Sequence, residues 1–105
     1  MGFKTKVRRV KGVPVLEIRG EFVGENAAKA AVILEKMRSS SSASLAVDLN
    51  HTTFIDSVGL GVFVYCWRLL GNENREMMFV NPQGFVLTML RNTSLDKVFK
   101  VVESI

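Results

Sequence analysis

The chain has one cysteine, Cys66, one histidine, His51, and two prolines in 105 residues. A single thiol cannot close an intramolecular disulfide, and one Cys with one His cannot build a metal cage of standard spacing. Nothing therefore points to an oxidising compartment. Long hydrophobic runs are also missing: the most apolar stretch, Val58 to Leu70, is too short to span a bilayer and contains Arg68. The N-terminus carries no apolar segment of signal-peptide length, so a cytoplasmic protein without membrane insertion is expected. Charge of one sign is only mildly in excess, with 14 Lys and Arg against 10 Asp and Glu, a net +4. Five cations fall early, at Lys4, Lys6, Arg8, Arg9 and Lys11. No longer basic stripe interleaved with aromatics follows them, which argues against direct nucleic-acid binding. The early cluster reads as an edge strand protected from aggregation by its charges.

What is present is an ordinary folded composition, 48% apolar and 23% charged, and one domain over residues 1–105 is expected at this length. Phe3 to Val10 and Val13 to Arg19 read as two strands joined by a turn at Lys11-Gly12. A helix is expected to open at Glu25 or Asn26 and run to about Arg38, with Ala27, Ala30, Ala31, Leu34 and Met37 on its apolar face. The serines at 39 to 42 form a connector. Leu45 to Leu49 is a short buried strand, Asn50 to Thr53 a polar break, and a helix buried over much of its circumference follows from Ser57 to Leu70. Met77 to Val80 is another strand. Pro82 opens a third helix whose buried face holds Phe85, Val86, Met89 and Leu90, and Val98 to Val102 closes the chain as a strand. Tyr65, Trp67 and the methionines are read as core. The order β-β-α-β-α-β-α-β predicts an α/β fold with a mostly parallel sheet and a hairpin at one end.

Chemistry, if present, lies between Phe54 and Gly61. Ser57 stands where an apolar run meets a helix, at or near the N-cap. Capping alone is the plainer reading, worth roughly 1 kcal/mol. Three features point further. Gly59 and Gly61 are poor helix formers, which implies close packing or close approach by another backbone. Asp56 beside the hydroxyl has no apolar use. A helix N-terminus also tolerates phosphate, because free N–H groups and the dipole favour negative charge. A hydrolase triad of Ser57, His51 and Asp48 or Asp56 would need the imidazole within hydrogen-bond reach of the hydroxyl, and the Gly-x-Ser-x-Gly elbow is absent. No Walker or Rossmann glycine pattern supports nucleotide binding. No enzyme activity and no cofactor are expected.

The stretch from Val47 to Val62, with Val47-Asp48-Leu49 followed by Phe54-Ile55-Asp56-Ser57-Val58-Gly59-Leu60-Gly61, resembles the signature of STAS domains. It is especially similar to the single-domain bacterial anti-sigma factor antagonists. Gly20-Glu21-Phe22 is similar to the family's corner after the second strand, and Leu90 to Phe99 to its late helix and final strand. The resemblance implies a mixed sheet of four or five strands with helices largely on one face. It implies a partner-switching cycle in transcription regulation: the bare protein binds an anti-sigma factor that is also a serine kinase, phosphorylation ends the interaction, and a serine phosphatase resets it. Ser57 would be the phosphoacceptor, and Asp56, Ser57, Val58, Gly59, Leu60, Gly61, Glu21 and Val23 the partner-binding set. The family usually carries Asp where Val23 stands and Ser or Ala where Val58 stands. The family's last helix is missing or very short before Ile105, and an apolar groove left there would favour a homodimer. The alternative implied by the resemblance is a STAS subunit that docks without phosphorylation, in a transporter or a stress-signalling assembly.

Overall fold

The computed structural model describes residues 2–105. Strands β1 (Lys4–Val10) and β2 (Val13–Phe22) form an antiparallel hairpin, and helix α1 (Gly24–Ser39) carries the chain back to β3 (Leu45–Asp48), parallel to β2. A short strand β4 (Thr52–Ile55) pairs with the far end of β2, and helix α2 (Ser57–Asn72) leads to β5 (Met77–Val80), parallel to β3. Helix α3 (Gly84–Asn92), a single 3-10 turn at Leu95–Lys97 and β6 (Lys100–Val102) complete the chain. The mixed sheet runs β1-β2-β3-β5-β6, with β4 beside β2. The predicted alternation of elements and the hairpin at one end are both present.

Side-chain alternation along the strands divides the sheet into two faces. Leu16 and Ile18 on β2, Leu45 and Val47 on β3, and Met77 and Phe79 on β5 join Ala27, Ala30, Leu34, Phe63, Leu70, Val86 and Leu90 from the helices in one buried core. Phe22 stacks on Phe63 at 4.6 Å, and Phe79 on Phe99 at 4.3 Å. The opposite face holds a smaller cluster of Val15, Ala46 and Val80, with Val10, Val13, Met78, Val102 and Ile105 packed against it. Beside that cluster Arg8 bridges two strands, donating to Glu17 at 3.1 Å and to Asp48 at 2.8 Å.

Several boundaries differ from expectation for identifiable reasons. The sheet has six strands instead of four or five, because Thr52–Ile55, read as a polar break and two apolar residues, pairs with Gly20–Phe22. Thr52 is buried there, its hydroxyl donating to the Ile18 carbonyl at 2.8 Å, so a polar residue serves as strand interior. Helix α1 starts at Gly24, with Val23 in the N-cap position and no side-chain capping bond. Gly24 has φ +45°, a left-handed conformation that suits glycine and turns the chain into the helix early. Asn26 therefore caps nothing; its amide donates to the Glu21 carbonyl at 2.9 Å. Pro82 precedes the N-cap residue Gln83 of α3 and is not in the first turn. Tyr65 is 64% exposed and Phe85 41% exposed, so neither belongs to the core assigned to it from helical spacing.

Candidate docking and modification site

The loop between β4 and α2 ends on Asp56, which is extended (φ −111°, ψ −173°) and is the N-cap of α2. Its Oδ1 accepts the Gly59 N–H at 2.9 Å, and its Oδ2 accepts the Gly24 N–H at 3.2 Å. One carboxylate thus serves the N-termini of both α1 and α2, where its negative charge also meets the positive ends of two helix dipoles. The Asp56 carbonyl takes the Leu60 N–H at 3.0 Å. Asp56, not Ser57, is the capping residue.

Ser57 is the first residue of α2 and is exposed. With capping done by its neighbour, its hydroxyl makes no hydrogen bond among the described residues and faces solvent at a helix start. Gly59 packs directly on the sheet: a Cβ added there would lie 2.7 Å from the Phe22 ring and 2.8 Å from Ile55 Cγ1, so only glycine fits without movement. Leu60 is buried as well. Gly61 differs from Gly59, since a Cβ there would meet open space.

Of the predicted partner-binding residues, Ser57, Val58, Gly61 and Glu21 present surface, and Val23 and Asp56 are half-buried beside them. Gly59 and Leu60 act from within by seating the helix start. Val58, Gly61, Val62, Tyr65 and Leu69 form an open side of α2, where burial over much of the circumference was expected. With Ala31 and Val32 of α1 they line an apolar groove of about 770 Å³. Cys66 also borders that groove, and burial pushes its thiol up to about 11.

The imagined hydrolase constellation is not assembled. His51 lies before β4 and Ser57 after it, and the four residues of that extended strand alone span roughly 13 Å. The His51 ring pairs with the Asn50 amide at 3.2 Å, Asp48 is held by Arg8 and by the Asn50 N–H, and both Asp56 oxygens are engaged by backbone. No group of three or more His, Cys, Asp or Glu that could hold a metal occurs among the described residues. Among them, too, no helix is long and apolar enough to cross a membrane.

One surface feature escaped the sequence reading. Phe54 and Phe85 stack in parallel, ring centroids 4.4 Å apart, while both stay about two-fifths exposed. Helical spacing had assigned Phe85 inward, and only the pairing of β4 brings Phe54 beside it.

The model for the STAS domain family matches residues 4–105. A structure of an anti-sigma factor antagonist from Mycobacterium paratuberculosis is 26% identical, with TM-score 0.86, covering 99% of this chain and 88% of that one. A candidate anti-sigma factor antagonist from Thermotoga maritima is 24% identical, with TM-score 0.88, covering 96% and 87%. The anti-sigma factor antagonist SpoIIAA in its unphosphorylated form is 14% identical, with TM-score 0.72, covering 99% and 89%. The likenesses below 25% identity concern the fold.

Proposed function

The chain belongs to the STAS domain family, and from that membership we propose that it is an anti-sigma factor antagonist switched at Ser57. The bare protein docks on an anti-sigma factor with serine kinase activity, and phosphorylation of Ser57 ends the complex. A serine phosphatase restores the bare form. One observation carries this reading: Asp56 caps α2 alone, so the exposed Ser57 hydroxyl has no structural task. Docking uses the surface of Ser57, Val58 and Gly61, with Glu21 and Val23 at its border, while Asp56, Gly59 and Leu60 hold that surface in place.

Local electrostatics explains the switch. A phosphate on Ser57 adds roughly −1.5 to −2 charges and three acceptor oxygens. Of the first-turn donors, Gly59 and Leu60 are already taken by Asp56, which leaves the N–H groups of Ser57 and Val58 to face the new anion. Solvent completes its shell in the free protein. A partner packed on bare Ser57 meets added bulk beside the Asp56 charge and has to desolvate both. A penalty of about 2.7 kcal/mol weakens binding a hundredfold, and no refolding is required.

The test is phosphosite mapping by mass spectrometry after incubation with a cognate anti-sigma kinase and ATP. Phosphate on Ser57, lost in Ser57→Ala, is the expected result. Phosphate on Thr52, Thr53 or Ser39 to Ser42 instead, or none at all while the partner still binds, favours a docking subunit that works without phosphorylation.

A further inference from the structure

We infer that a second docking surface, separate from Ser57, receives an acidic segment of a partner protein anchored by an aromatic or large aliphatic side chain. The surface is a cleft of about 690 Å³ between the turn preceding β4 and the start of α3. Its charge has one sign: Lys4 and Arg19 line it, and no carboxylate does so among the described residues. Arg19 shares Glu17 with Arg8, whereas Lys4 makes no ion pair among the described residues.

The polar wall is built, not incidental. Asn50 Oδ1 accepts from the Asn81 amide and from the Gln83 amide, which fixes these side chains across two loops. Phe85 also lines the cleft, and Phe54 is stacked on it in the parallel arrangement described above. Two large aromatic rings, stacked face to face and each left about 40% exposed, form an exposed apolar pair beside the cleft. Exposed aromatics beside satisfied polar groups are the composition of a protein-binding hot spot. The adjoining cations select an acidic sequence and repel a basic one. Glu21, in register with Phe54, marks the border of the positive zone.

A nucleic acid is a poorer occupant. Two cations in a short cleft supply few of the roughly six to ten phosphate contacts that support such binding.

The experiment selects random displayed peptides against the full chain and follows synthetic copies of the winners by amide NMR of the labelled protein. Enriched peptides are expected to combine Asp or Glu with Phe, Trp or Leu and to shift the amides of Thr53, Phe54, Gly84 and Phe85. Phe54→Ser and Lys4→Glu should each weaken binding by about tenfold, Phe85→Ser likewise, and added salt should weaken it further. These three side chains are exposed, so the variants should keep the wild-type fold, which the same spectra report. The inference is overturned if selection yields no binders, if winners lack acidic residues, or if shifts centre on Ser57 to Gly61. Equally tight binding of a deoxythymidine oligomer also overturns it. Loss of phosphate incorporation at Ser57 leaves this surface untouched, so the two readings fail separately.

Discussion

Asp56 holds Gly24 across the start of two helices: its Oδ2 accepts the Gly24 N–H at 3.2 Å while its Oδ1 caps its own helix through Gly59. The N-terminus of α1, which lacks a side-chain cap of its own, is thereby anchored by a residue 32 positions downstream. Asp56→Ala removes both bonds and leaves two backbone donors unpaired at a half-buried site. A loss of about 1–3 kcal/mol in unfolding free energy is expected in urea titrations. A loss below 0.5 kcal/mol, taken as roughly the noise for a surface change, contradicts the double-cap account. Any weakening of partner binding in this variant has to be compared with its stability, since the carboxylate shapes the docking surface from beneath.

The two glycines of α2 should respond in opposite directions. Gly59→Ala forces a methyl group against the Phe22 ring and Ile55 and should destabilise by about 1–3 kcal/mol. Gly61→Ala meets open space in a helix and should stabilise by up to about 1 kcal/mol. Thermal melts of the two variants check this, and equal shifts of the same sign refute it. If Gly61 belongs to the docking surface, the stabilised variant should still bind its partner more weakly.

Cys66 supplies a pH dependence. Burial pushes its thiol from about 9 up to about 11, with the Arg38 charge pulling the other way. Below about pH 9 the thiol is protonated in both folded and unfolded chains and contributes no slope. From pH 9 toward 11 only the unfolded chain ionises freely, so stability falls, by a total of order 2 kcal/mol. Cys66→Ala should lose stability at neutral pH through its cavity but show a shallower alkaline decline. Urea midpoints at pH 7 and above pH 10 measure the difference, and parallel declines in the two proteins would count against it.

Hydrophobic periodicity located α1, α2 and the strands β2, β3 and β5 well, because each has one face in the main core, whereas β1 lies outside that core and was marked by the Lys11-Gly12 turn that follows it. It failed where neighbours from distant sequence decide. Thr52 becomes strand interior only because the Ile18 carbonyl accepts its hydroxyl. The start of α1 depends on the left-handed Gly24 and the remote Asp56, neither visible to a local capping rule. Tyr65 sits at helical spacing from core residues, yet no element covers that side of α2, and Phe85 turns toward Phe54 instead of inward. At the site, the Asp-Ser-x-Gly-Leu-Gly order was legible as a helix start with unusual glycines. The division of labour between its first two residues was not, since Ser and Asp are both good N-caps and only backbone geometry separates them.

The most direct measurement is the affinity of a cognate anti-sigma kinase for the unmodified protein and for the protein phosphorylated on Ser57, by calorimetry at one salt concentration. The account predicts that phosphorylation weakens binding about a hundredfold or more. Ser57→Ala should bind like the unmodified protein and Ser57→Asp should fall between, because one carboxylate is smaller and carries less charge. Equal affinity for the bare and phosphorylated forms would contradict the switch, whatever the two structures have in common.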